Sequence, residues 1–175
     1  MLFSKVNEMI EREREFIELG KQYFFEQVLF SYQWWLLVCI TVGMWILWFI
    51  LVDRKHMPPI LFVGMFSSLI AFSLDNIGRS LHLWFYPYQL TFFSWEFLPV
   101  DLAIIPVCYM ILYQYIRPWL LYLPILVILA LLAAFIVEPL FVLADLYRLI
   151  HWKHVFSLPF YIIIGVVLKW VADRV

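Results

Sequence analysis

The sequence predicts an all-α integral membrane protein: a bundle of about five transmembrane helices, preceded by an amphipathic helix at the membrane surface. The 175 residues are 66% hydrophobic and 14% charged, with a mean hydropathy of +0.92. That is more apolar surface than one soluble core of this size can hide. Nine Trp, ten Tyr and seventeen Phe suit both the hydrocarbon and the headgroup boundary of a bilayer. Five apolar stretches also approach the roughly 20 residues that a helix needs to cross about 30 Å of hydrocarbon.

Residues 1–32 form the first unit. Val6, Met9, Ile10, Phe16 and Ile17 recur at helical spacing, while Lys5, Glu8, Glu11, Arg12, Arg14, Glu15 and Glu18 fill most of the remaining positions, the pattern of an amphipathic helix. Glu8 with Arg12, and Arg14 with Glu18, stand four apart and can pair along its polar side. Such a helix lies on the bilayer or on the protein's own loops, or it docks a partner. The alternation Glu11, Arg12, Glu13, Arg14, Glu15 differs from a cleavable signal peptide, which starts basic and continues apolar.

Residues 33–175 form the transmembrane domain, with crossings expected at 34–52, 60 to about 83, about 97–116, 119 to about 143, and 155–171. Only Arg117 and Pro118 separate the third from the fourth, which predicts a tight antiparallel hairpin with Pro in the first turn of the next helix. Pro106 in the third and Pro124 and Pro139 in the fourth predict kinks. Neighbouring helices can pair the backbone groups so freed. Cys39 and Cys108 sit in apolar runs as small hydrophobes. The glycines 43, 64, 78 and 165 offer no pair four apart for tight helix association.

Flanking charges bear on orientation. Arg54, Lys55, Arg117, Lys169 and Arg174 collect on one side, and Lys21, Arg148 and Lys153, with Arg14 and Arg79, on the other. The positive-inside bias then puts the N-terminus outside and the C-terminus in the cytoplasm. A net charge of -1 with no basic block excludes nucleic acid as a partner. The bilayer itself is the expected partner, with a membrane protein or a lipid-like ligand as further candidates.

Antiparallel threading gathers the unusual polar residues on one membrane face. The end of the second crossing brings Asp75, Asn76, Arg79 and His82; the start of the third brings Glu96 and Asp101. The end of the fourth brings Glu138, Asp145 and Arg148, and the start of the fifth His151 and His154. At 1.5 Å per residue Asp75 lies about 22 Å from residue 60 and Asp101 about 24 Å from Arg117 on the opposite side, so both acids reach similar depth. Asp75 and Arg79, four apart, are placed to pair. Ionised groups at mid-bilayer cost about 2.5 to 3.5 kcal/mol each on insertion scales, so these residues are expected to face inward and pair.

Such a cluster can lock helices together, line a pocket for a protein, a lipid or an isoprenoid-like molecule, or supply carboxylates of unlike environment for acid and base chemistry. A small-solute path would need polar groups across the whole bilayer, and the opposite halves of the crossings are almost wholly apolar. The sequence assigns no catalytic residue and implies no cofactor. No ligand pair at compact spacing marks a metal site; His151 and His154, three apart, come closest. The run Leu83-Trp84-Phe85-Tyr86-Pro87-Tyr88 with Phe92, Phe93 and Trp95 reads as an interfacial aromatic belt, or alternatively as a ligand cage.

Asp75-Asn76-Ile77-Gly78, Leu83-Trp84-Phe85-Tyr86-Pro87, Asp101 with Pro106, Tyr113-Gln114-Tyr115, Glu138, and Ser157 with Phe160 and Tyr161 together resemble an uncharacterised family of small multi-span membrane proteins of endospore-forming Gram-positive bacteria. The resemblance spans residue 34 to the C-terminus. Pro99-Val100-Asp101 departs from it, standing where an aromatic residue precedes the acid. The resemblance implies a bacterial plasma-membrane location and a bundle of roughly five spans, and it carries no activity.

Overall fold

The computed structural model describes residues 2–94 and 96–174; Met1, Val175 and Trp95 of the aromatic run lie outside the described residues. The chain is helical almost throughout. Its helices are α1 Leu2–Tyr23, α2 Tyr32–Leu51, α3 Met57–Ser80, α4 Ile105–Tyr115, α5 Trp119–Leu132, α6 Glu138–Leu143 and α7 His154–Ala172. Tyr32–Leu51, Arg54–Ser80, Trp119–Leu143 and His154–Ala172 are long and apolar enough to cross a membrane.

The third expected crossing is the shortest, an apolar helix over Val100–Tyr115. Leu98 and Pro99 form its entry turn; the Val100 and Asp101 N–H groups bond the Phe97 carbonyl, and a proline in a first turn gives up no helical hydrogen bond. A wide π turn, Val100–Ile104, leads into α4, and another, Ala133–Val137, joins α5 to α6. Each lies just ahead of a proline, Pro106 and Pro139, whose ring would crowd the carbonyl four residues back; widening the turn relieves that clash. Pro106 cannot donate to the Leu102 carbonyl, and the Trp45 indole N–H takes that oxygen at 3.1 Å. Here a neighbouring helix satisfies what proline leaves open.

Ile60 and Val63 of α3, Val107, Met110 and Tyr113 of α4, Tyr122 and Leu126 of α5, and Ile164 and Leu168 of α7 form the main core. Helix α4 packs chiefly on α3, and α5 packs on α7. The hairpin expected between the third and fourth crossings is therefore a tight turn with little packing of its own. Pro118 stands just ahead of α5. Leu120, Leu121, Ile128 and Leu132 face outward from α5, as do Val42, Ile46, Phe49 and Ile50 from α2. A soluble monomer rarely shows apolar patches on that scale.

Two helix ends stop in the same way. His82 and Asp145 adopt left-handed backbone, with φ of 55° and 58°. After α3, the His82 N–H bonds the Arg79 carbonyl at 2.9 Å and the Leu83 N–H bonds Gly78 at 2.9 Å; after α6, Asp145 bonds Val142 at 3.1 Å and Leu146 bonds Phe141 at 2.9 Å. This paired closure is the Schellman motif. The chain beyond each end then meets in a two-residue antiparallel ribbon, β1 Trp84–Phe85 against β2 Arg148–Leu149. The ribbon, too short to leave a period in the sequence, ties the loop before α4 to the loop before α7.

Helix α1 stands apart. Residues 5–19 are all exposed, and the helix packs mainly on the turn that follows it, Phe24–Val28. The Arg12 guanidinium pairs with Glu8 at 2.9 Å. At helical spacing Glu13 falls among Val6, Met9, Ile10, Phe16 and Ile17 and interrupts the apolar side.

Candidate functional site

Asp75 occupies the last turns of α3 and is 5% exposed. Its Oδ1 accepts the Trp84 indole N–H at 2.7 Å and the Tyr86 hydroxyl at 2.6 Å, and its Oδ2 accepts the Phe97 backbone N–H at 2.9 Å. One carboxylate thus gathers both ends of the loop between α3 and α4. Arg79, one turn on, interacts electrostatically with Asp75 as its spacing suggests, and its guanidinium also lies over the rings of Phe85 and Tyr86, at 5.5 and 5.8 Å. Gly78 makes the arrangement possible, since a Cβ there would overlap the six-membered ring of Trp84.

Above Asp75 the aromatic run divides. Tyr86 turns inward and stacks on Phe97 at 4.5 Å and on Tyr147 at 5.5 Å. Phe92 and Phe93 stay exposed. Burial, followed by the nearby Asp75 charge, raises the Tyr86 hydroxyl well above its ordinary range. Tyr147 is raised by burial and then by the Glu138 and Asp75 charges, so it lies within electrostatic reach of both carboxylates.

Asp101 enters from the π turn ahead of α4 and is 4% exposed. Its buried carboxyl faces that of Asp75 within hydrogen-bonding reach, a contact that holds when one of the two acids carries the proton. Two neighbouring acids thus have unlike surroundings: Asp75 collects donors from the loop, whereas Asp101 meets Asp75 itself.

Glu138 builds a second group at the start of α6. Its Oε2 meets His154 Nδ1 at 2.7 Å, and its Oε1 accepts the Tyr161 hydroxyl at 2.7 Å. The contact through Nδ1 fixes the ring and leaves Nε2 for other work. The Tyr161 carbonyl in turn accepts the Tyr109 hydroxyl at 2.7 Å, which carries the network from α7 to α4.

The other expected members lie at the rim. Exposed Asn76 donates to Glu96 at 3.0 Å, and the Ser94 hydroxyl donates to the same carboxylate at 2.7 Å. Burial alone would raise the Glu96 carboxyl, but these hydrogen bonds outweigh it and hold the group below the ordinary glutamate range. His82, Asp145, Arg148 and His151 are exposed, and the first two serve as the left-handed helix stops. Asp75, Asp101 and Glu138, with half-buried Arg79 and His154, are the expected residues that sit inside, in two groups that both reach Tyr147.

A further polar centre lies toward the opposite face, where sequence reading found only a flanking charge. Lys169 is 1% exposed. Its ammonium stands 5.3, 5.1 and 5.1 Å from the ring centres of Tyr113, Trp119 and Tyr122 and pairs with Asp173 at 3.2 Å. The four-residue spacing of Lys169 and Asp173 was visible; the three rings come from other helices and were not. Nearby, Gln114 accepts the Asp53 N–H at 2.8 Å and donates to the Leu51 carbonyl at 2.7 Å, closing the end of α2.

Among the described residues no group of three or more His, Cys, Asp or Glu side chains is arranged to hold a metal ion. No family model matches the sequence, and no curated protein or solved structure matches it.

Proposed function

We propose that this chain is a multi-pass protein of the bacterial plasma membrane, with Val100–Tyr115 as a short fifth crossing, and that it acts as a membrane scaffold holding a protein or lipid partner. In this reading the polar layer is a lock that keeps the crossings and the aromatic cap in register. The observation that supports it is saturation: both oxygens of Asp75 and both of Glu138 are taken by donors of the chain itself. A carboxylate that acts on a substrate needs an open oxygen, whereas one that joins helices needs its donors filled.

A second reading rests on Asp101 and His154. Two carboxyls in contact, Asp101 and Asp75, and an imidazole oriented by Glu138 are the ingredients of acid and base chemistry on a lipid-like substrate. Comparing lipid extracts of cells making the wild-type chain with those making Asp101→Asn separates the two. A scaffold leaves the lipid profile unchanged, and a species that appears only with the wild-type chain overturns it. Asp75→Asn and Glu138→Gln, by contrast, should lower the yield of folded protein extracted in mild detergent.

A further inference from the structure

Helix α1 arranges its charges in lines. Lys5 and Arg12, seven apart, run along one margin of the apolar side, and Arg14 and Lys21, also seven apart, run along the other. Glu8, Glu11, Glu15 and Glu18 recur three and four apart and share the far side. The apolar side between the basic margins is uncovered, with Val6 43%, Met9 69%, Ile10 55% and Ile17 48% exposed. At its C-terminal end the helix is tied down, because Phe24 and Phe25 pack on Phe92 of the loop beside the polar layer. Ser31 then caps α2 within a few residues. The helix is therefore held close to the level at which the crossings begin.

We propose that α1 is an in-plane membrane-binding helix that reads anionic phospholipid, with its apolar side in the headgroup boundary and its four marginal bases on lipid phosphates, Arg12 exchanging its exposed Glu8 partner for one. The proposal rests on the membrane reading given above. Lysine and arginine at the edges of an apolar side can lay their stems on the acyl boundary and lift their charges to the phosphates, while the acids on the far side stay in water. A second copy of the chain fits this side poorly. Parallel pairing would set Glu13 against its own copy in the middle of the seam and bring like-charged margins together. On a bilayer Glu13 instead limits depth, keeping the helix among the headgroups.

The test uses the full chain with Cys39→Ser and Cys108→Ser, reconstituted in nanodiscs of phosphatidylcholine alone or of an equal mixture with phosphatidylglycerol. Spin labels are placed through Met9→Cys, Ile17→Cys, Glu15→Cys and, as the control in α2, Ile46→Cys. In mixed discs the labels at positions 9 and 17 should be open to oxygen and shielded from a water-soluble nickel chelate, with the reverse at position 15. In neutral discs that shielding should fall. Each marginal base changed to Gln should lower the ratio of bound to free helix about fivefold. Shielding equal in both lipids, or absent from both, overturns the proposal. Broadening between labels on two copies, whatever the lipid, overturns it in favour of self-association. A label at position 46 that is open to the chelate would instead sink the membrane reading on which all of this stands.

Discussion

The Asp75 carboxylate accepts the Phe97 backbone N–H at 2.9 Å, so an acid at the end of α3 anchors the chain at the entry to the next helix. The same group holds Trp84 and Tyr86 at the start of the loop. A hydrogen bond to an ionised acceptor contributes about 1.5–3 kcal/mol, and leaving its buried donors empty costs more than swapping them for apolar groups. Asp75→Ala should lower stability by about 3–5 kcal/mol, the range for breaking a buried charge network. Tyr86→Phe should lose about 1.5–3 kcal/mol. Thermal melts in matched micelles check both, at about 2–4 °C per kcal/mol for a chain of this size.

Gly78→Ala should displace the Trp84 ring, because the added methyl occupies the ring's place. Overpacking of this kind costs about 1–3 kcal/mol. The same change should weaken the ribbon with Arg148–Leu149, since Trp84 pairs with Leu149 there. Faster amide exchange at Ile150 and His151, which both bond the Leu83 carbonyl, is the readout.

Lys169 is buried among three rings, and its removal should depend on what replaces it. Lys169→Met keeps the volume and the ring contacts and should change stability by less than about 1.5 kcal/mol. Lys169→Ala leaves Asp173 without its partner just as Met does, but it also opens a cavity, for a cost of about 2–5 kcal/mol. Equal melting temperatures for the two variants would contradict this packing role.

Glu96 gives the loop a pH dependence. Its folded value is depressed by Ser94 and Asn76 against the opposing effect of burial. A group of this kind stabilises fully above its unfolded value and loses that contribution as pH falls through the folded one. Protection of residues 83–97 against amide exchange, corrected for intrinsic rates, should hold from neutral pH down to the ordinary carboxyl value of 4.5 and decline below it. Glu96→Gln should flatten that decline.

Much of this architecture could be read from the residues, for physical reasons that differ by element. Hydropathy over some twenty residues is a strong signal, so the stretches around α2, α3, α5 with α6, and α7 stood out. The helical segment that ends in α4 starts at Leu98, close to the expected residue 97, but a proline announces a distortion without its form, so the wide turn at Val100–Ile104 was not legible. The gathering of Asp75, Asp101, Glu138 and His154 followed from antiparallel threading alone. Their partners did not, because Tyr86, Phe97 and Tyr161 look like any aromatic residue until the fold turns their polar atoms inward. His82 and Asp145 shared the composition of the cluster yet do a local job, ending helices in left-handed geometry. Lys169 was legible as a charge and silent as a centre, since its ring neighbours belong to α4 and α5.

The most direct test of the polar layer as a lock is a double-mutant cycle between Asp75→Asn and Tyr86→Phe, read as unfolding free energy in matched micelles. Residues in direct contact typically couple by about 0.5–3 kcal/mol, so the double variant should lose less than the sum of the single losses by an amount within that range. Additive losses, or an Asp75→Asn variant as stable as the wild type, would contradict the lock.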